Sequence, residues 1–258
     1  MKELQPTVKF IEQITRKAGR ILLKHQGSIV KVADRGSGDY TTQADLASEN
    51  YLVTAVKRRF PDHQILTEEE GIKEVSLQKP CWIIDPLDGT RNFTFGIPLW
   101  VVSVAFYDQG EGQIGAIFCP RLNEFFLAQK GQGATLNGQP IHVSQKSTLD
   151  QAFLVTNYFY SPEAAGKNTA WLNSLSGRIL AASILNCSLL EICYIAAGRF
   201  DAGLYRGGKP WDWAAVKVIM EEAGGVMTKL DGKAADIFYP DHLFNNGVLH
   251  SAILATKP

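Results

Sequence analysis

Two carboxylates on a short turn offer the clearest chemistry in this chain. Asp85-Pro86-Leu87-Asp88 follows the apolar run Trp82-Ile83-Ile84 and leads into Gly89-Thr90. The apolar run favours a buried strand. Pro86 has no ladder donor and disfavours helix at the residue before it, so the strand is predicted to end at Asp85. Asp85 and Asp88 then sit on a tight turn at a strand's C-terminal end. Gly89 lets a ligand approach the backbone, and the Gly89, Thr90 and Arg91 amides, opening a helical turn, suit a phosphate. Carboxylates beside an anion cradle make chemical sense with a cation between them. Mg²⁺ takes hard oxygen ligands and shares them with phosphate. Asp, Pro and Gly are also ordinary turn residues, so the stretch alone reads equally as a plain turn.

Other acids lie where elements begin or end. Thr41 and Thr42 can cap a helix running to about Phe60, with Leu46, Val53, Val56 and Phe60 as its buried stripe. Asp45 falls in its first turn, where the helix dipole favours negative charge. Asp212 occupies the same place in a helix opened by Pro210, whose apolar residues are Ala214, Ala215, Val218, Ile219 and Ala223. Helix electrostatics alone would explain both acids. Glu68-Glu69-Glu70 follow a short strand over His63–Thr67, and such a run also reads as a solvated loop. Glu68 and Asp85, both at strand ends, would line the sheet edge at which α/β proteins bind ligands.

The remaining elements must hold these acids. Residues 6–26 read as an amphipathic helix stopped by Gly27, and Asp34 to Asp39 as a glycine-rich connecting loop. Leu99–Phe106, Gln113–Phe118 and Glu124–Ala128 read as an antiparallel meander, with Asn137-Gly138 as a later hairpin turn. Ala152–Thr156, Arg178–Ala181, Asp201–Tyr205, Val226–Lys229 and Val248–Ala255 read as strands, and Asn186–Ala197 as a buried helix ending at Gly198. The pattern gives an α/β (α+β) chain with an N-terminal half, residues 1–145, and a C-terminal half, residues 146–258.

Composition narrows the function. With 258 residues, 45% hydrophobic and no net formal charge, the chain can bury a large core and lacks the basic excess of a dedicated nucleic-acid binder. No apolar run is long enough to span a membrane, and Met1 to Gln5 carry an acid and no apolar leader core, so the expected location is cytoplasmic. Cys81, Cys119, Cys187 and Cys193 form no Cys-x-x-Cys pair and read as small core residues. The five histidines are scattered, and nucleophilic serine or cysteine catalysis has no local motif.

Asp85-Pro86-Leu87-Asp88-Gly89-Thr90 resembles the signature of the inositol monophosphatase family, the Mg²⁺-dependent, lithium-sensitive phosphatases. The resemblance extends to Asp45 after Thr41-Thr42, to Glu68-Glu69 after Leu66-Thr67, and to Trp211-Asp212 followed by Glu222-Ala223-Gly224-Gly225. It implies a layered αβαβα sandwich and a homodimer. It implies two to three Mg²⁺ ions per site, the first held by Glu68, Asp85 and the Leu87 carbonyl, the second by Asp85, Asp88 and Asp212. Glu68 would help to hold a third through water, and Glu69 would order water. Asp45 and Thr90 would position and activate the attacking water, and Asp88, Gly89 and Thr90 would bind phosphate. The implied reaction is hydrolysis of an inositol monophosphate by direct transfer to water.

The family's glutamate for ring hydroxyls, seven residues before the Trp-Asp aspartate, is replaced here by Tyr205, with Arg206 beside it. Tyr205 and Arg206 are therefore the candidate specificity residues, and Arg206 could meet a second phosphate or a carboxylate. Fructose-1,6-bisphosphatase, histidinol-phosphatase and 3′-phosphoadenosine-phosphate phosphatase activity are the alternatives within the superfamily. A regulatory relative acting through a partner is the alternative outside catalysis.

Overall fold

The structure, a computed structural model, describes residues 6–26, 31–36, 39–158 and 161–257. Helix α1 (Val8–His25) starts at Thr7, whose side chain accepts from the Phe10 amide, and buries Ile11, Ile14, Ala18 and Leu22 at helical spacing. The proposed stop at Gly27 lies outside the described residues. The expected connecting loop is instead a two-stranded antiparallel ribbon, β1 (Lys31–Gly36) with β2 (Asp39–Thr42), and Ser37 and Gly38 lie outside the description. Helix α2 (Gln43–Arg59) follows at once, capped by Thr42 as predicted.

A seven-stranded sheet comes next. Strand β3 (Gln64–Thr67) pairs in parallel with β4 (Cys81–Asp88), and a five-residue helix, α3 (Thr90–Thr94), leaves the end of β4. The expected meander is present as β5 (Val101–Asp108), β6 (Glu111–Cys119) and β7 (Glu124–Gln129), closed by the hairpin β8 (Ala134–Leu136) and β9 (Gln139–Ile141) around Asn137-Gly138. One expectation fails within β4, which does not stop at Asp85. Asp85 pairs with Ser103 and Asp88 with Val101, so Pro86 and Leu87 form a bulge. The bulge absorbs the proline, which has no amide to give to the ladder, and lets pairing resume.

The second sheet has the order β11-β10-β12-β14-β13. Its members are β10 (Phe153–Thr156), β11 (Ala181–Ser183), β12 (Ala202–Tyr205), β13 (Val226–Thr228) and β14 (His242–Asn245). Between them run α4 (Pro162–Ser174), α5 (Ser188–Ala196), α6 (Pro210–Glu222) and the terminal α7 (His250–Leu254). Three corrections arise here. The sequence reading assigned no element to α4. The strand sought at Arg178–Ala181 begins only at Ala181. Val248–Ala255, read as the last strand, contains α7, while the strand itself is His242–Asn245. The cause at α7 is packing: Leu249 and Ile253, four apart, enter the same core, and Asn246 Oδ1 accepts from the Leu249 amide at 2.9 Å.

Alternation along the strands sorts these elements into layers. Trp82 and Ile84 face the layer of α1 and α2, whereas Ile83 faces α5 and α6. On the second sheet Tyr205 and Phe244 face α5 and α6, while Leu204 and Leu243 face α4 and α7 with Trp171 and Ile253. The molecule is thus a layered αβαβα sandwich, with α5 and α6 buried between the two sheets. Helix α6 lies hard against β6: a Cβ on Gly115 would stand 2.5 Å from the Ala215 carbonyl oxygen.

Candidate active site

Asp85, the last paired residue before the bulge, is 2% exposed. Burial, and after it the neighbouring charges of Glu68, Asp88 and Asp212, push its carboxyl well above the usual range. Those acids come from β4, from the end of β3 and from the first turn of α6, so the fold gathers residues that lie far apart in sequence. The parallel pairing of β3 and β4 places Glu68 beside Asp85, with the Glu68 amide bonded to the Ile84 carbonyl at 3.2 Å. Backbone amides help to orient the aspartates. Leu87 N–H donates to Asp85 Oδ1 at 2.9 Å, Leu189 N–H to Asp88 Oδ2 at 2.9 Å, and Lys209 N–H to Asp212 Oδ2 at 2.7 Å. Among the described residues, no three ligand-type side chains close around one point as a finished metal cage. The donor set nevertheless suits a hard divalent cation, because several carboxylates crowded together out of water need positive charge.

Asp45 lies on the far side of the Thr90 hydroxyl. Its Oδ2 accepts from the Thr42 amide at 2.9 Å and from the Thr42 hydroxyl, and its Oδ1 is 3.5 Å from Thr90 Oγ1. Thr90 donates to the Leu87 carbonyl at 3.0 Å. Burial, only partly offset by the Thr42 hydrogen bonds, pushes the Asp45 carboxyl up to about 7. Gly89 joins β4 to α3 at φ +84°, a conformation costly for other residues, and a Cβ there would stand 2.8 Å from the Leu99 carbonyl oxygen. Glu69 accepts from the Thr41 hydroxyl at 2.7 Å, while its amide donates to Glu49 at 3.1 Å.

The two candidate specificity residues are held by partners of their own. Tyr205 is fully buried against Trp213 and Phe244, with its hydroxyl beside Glu191. Arg206 is no loose surface charge. Its Nε donates to Asn168 Oδ1 at 2.9 Å, and its guanidinium lies 3.7 Å from Asp241. Sequence reasoning missed the supports of Asp88, where the Cys187 thiol lies 3.1 Å from Oδ2 beside the Leu189 amide. It also missed Asn92, which ties α3 to the carbonyls of Leu99 and Leu185. The Asp-Gly-Thr-Arg-Asn run was the only available pointer to Asn92; nothing local marked Cys187.

A family model described as the inositol monophosphatase family matches residues 3–257. The chain belongs to the inositol monophosphatase family. It is 34% identical to the fructose-1,6-bisphosphatase/inositol-1-monophosphatase of Thermotoga maritima over 95% of its own length and 93% of that protein. It is likewise 34% identical to the Nus factor SuhB of Haemophilus influenzae, over 88% of this chain and 86% of the other. A solved Thermotoga maritima IMPase superposes with a TM-score of 0.89 at 33% identity, covering 97% of this chain and 96% of that one. As an inositol monophosphatase family member, the protein is a phosphomonoesterase of a generally metal-dependent kind. Among the described residues, no helix is long and apolar enough to cross a membrane.

Proposed function

We propose that the protein is a Mg²⁺-dependent phosphatase of small phosphorylated polyols, with inositol 1-phosphate as its leading substrate. The observation that carries this reading is the placing of Glu68, Asp88 and Asp212 around a buried Asp85. On this reading the half spanning 1–145 supplies every acid but Asp212, which 146–258 brings in. Glu68, Asp85, Asp88, Asp212 and the Leu87 carbonyl hold two to three Mg²⁺ ions. A bound divalent cation supplies positive charge that acidifies water and offsets the phosphoryl oxygens. The chain's own groups do the rest. The Gly89 and Thr90 amides orient the phosphate, the Thr90 hydroxyl aligns water for in-line attack, and Asp45 accepts the proton. With its carboxyl poised near 7, Asp45 is a base matched to neutral pH. Transfer goes directly to water.

A second reading, a bisphosphorylated sugar, is favoured by Arg206, whose guanidinium is held in place on the segment leading to Asp212. One experiment tests both readings. Phosphate release from inositol 1-phosphate, fructose 1,6-bisphosphate, histidinol phosphate and 3′-phosphoadenosine 5′-phosphate is measured with and without Mg²⁺, in the wild type and in Asp85→Asn. The expected result is Mg²⁺-dependent release, fastest on inositol 1-phosphate, and a loss of about a thousandfold in the variant, roughly 4 kcal/mol of barrier. Release that ignores Mg²⁺, or wild-type turnover in folded Asp85→Asn, would remove Asp85 and its neighbours from the chemistry.

A further inference from the structure

We infer that Glu191 is a positioning residue for Asp88, acting through the segment Leu185–Leu189; this rests on the reading of the acid cluster as a cation site. Glu191 sits in the first turn of α5 and is 1% exposed. A buried carboxyl is costly and needs a structural return. Here Glu191 Oε1 accepts the Leu185 amide. The other face of the same residue is held as well, because Asn92 Nδ2 donates to the Leu185 carbonyl at 2.7 Å and reaches the Asn186 carbonyl at 3.4 Å. Leu185 is therefore pinned from both sides, by the helix that follows Asp88 and by the helix that follows the segment itself.

From Leu185 the chain turns through Asn186 in the left-handed region, at φ 57°, and meets Asp88. Two donors on the segment then fix one oxygen of that carboxylate: Leu189 N–H and the Cys187 thiol both lie on Oδ2. Their effect favours the ionised form, opposing burial. The second Glu191 oxygen lies buried beside the Tyr205 hydroxyl, and neither atom has a well-formed partner elsewhere. The groups that bear on Glu191 are the Leu185 and Asn186 amides, the Tyr205 hydroxyl and, more distantly, Asp88. The residue thus links the wall of the second sheet, at Tyr205, to the turn that orients Asp88. Without this acceptor the Leu185 amide is orphaned, the turn relaxes, and Asp88 loses two of the donors that set its angle.

The test measures Mn²⁺ binding to the substrate-free protein by electron paramagnetic resonance, alongside melting temperature and KM at saturating Mg²⁺. Glu191→Leu and Glu191→Asp, which remove or retract the acceptor, are expected to weaken Mn²⁺ binding about tenfold, the scale seen when a group orienting a metal ligand is lost. Glu191→Gln keeps an acceptor for Leu185 and is expected to stay within about twofold of wild type. Glu191→Asp also serves as the folded, polar variant should the leucine protein not accumulate. Unchanged Mn²⁺ affinity in folded Glu191→Leu or Glu191→Asp, with only a lower melting temperature, would show that Glu191 merely fills the core. An equal loss in Glu191→Gln would show that charge, not the acceptor, matters, and would equally overturn the inference. Failure of the wild-type protein to bind Mn²⁺ at all would instead sink the cation reading, and this inference with it.

Discussion

Replacing Asp45 by asparagine is expected to make the protein more stable and less active at once. Asp45 is 1% exposed, and burial raises its carboxyl from 3.8 to about 7 in the folded chain. The folded state therefore holds the Asp45 proton longer than the unfolded state does. Stability from this group is greatest below pH 3.8, declines as pH rises, and is fully lost above about 7. At about 1.4 kcal/mol per unit, the ionised carboxylate costs roughly 4 kcal/mol at pH 8. Asparagine carries no such charge. Its amide oxygen still accepts from the Thr42 backbone but serves the Thr42 hydroxyl less well, a loss of about 1 kcal/mol that is independent of pH. Stability of both proteins is measured by denaturant unfolding from pH 4 to pH 8 with cations chelated. The difference in favour of Asp45→Asn should grow by about 4 kcal/mol across that range, or roughly 10 °C in melting temperature. Turnover at pH 7.5 should fall by about 10² to 10⁴, the usual worth of a general base. A stability difference that stays flat with pH would refute the claim that Asp45 is ionised against the grain of its surroundings.

Two further outcomes follow from local geometry. Gly89→Ala forces a Cβ to 2.8 Å from the Leu99 carbonyl oxygen at a φ that alanine avoids; it should cost about 2 to 4 kcal/mol in urea unfolding and lower kcat/KM at least tenfold. Asp201 lies fully buried and accepts from the Ser144 hydroxyl at 2.6 Å, Lys146 Nζ at 2.9 Å and the Phe153 amide at 2.7 Å. Asp201→Ala should therefore lower the unfolding free energy in urea by about 2 to 4 kcal/mol while leaving KM unchanged, and Asp201→Asn, which keeps an acceptor, by about half as much.

Much of this architecture could be read from residue order, for reasons that differ by element. Helices α1 and α6 announce themselves because a cap or an N1 proline coincides with a 3.6-residue apolar rhythm; α2 is marked by its Thr42 cap, but its expected stripe is off, since Leu46 is exposed and Leu52 buried instead. Helix α4 does not announce itself. It buries only Ala165, Asn168 and Trp171 and carries Gly166, so its rhythm is thin and partly polar. At Val248–Ala255 an aliphatic run suits strand or helix alike, and only the packing of Leu249 and Ile253 into one core decides it. The acids that gather around Asp85 could be picked out because they sit in spaced motifs at element ends. Their supports could not. The Leu189 and Lys209 amides carry no side-chain signature, and Cys187 and Glu191 acquire their roles only when α5 is set beneath Asp88.

The close seat of α6 on β6 means that one acid of the proposed cation site is held by the depth of a groove. Asp212 rides on α6, and α6 can approach no nearer than the backbone at Gly115 permits. Its distance from Asp85 is therefore set by a residue that has no side chain and lies on the opposite side of the helix layer from the second sheet. Geometry errors of about an ångström matter on the scale of catalysis. Tuning of such a centre during divergence thus has a route through spacer residues in the scaffold, and relatives with an identical acid set can differ in how tightly their ions sit.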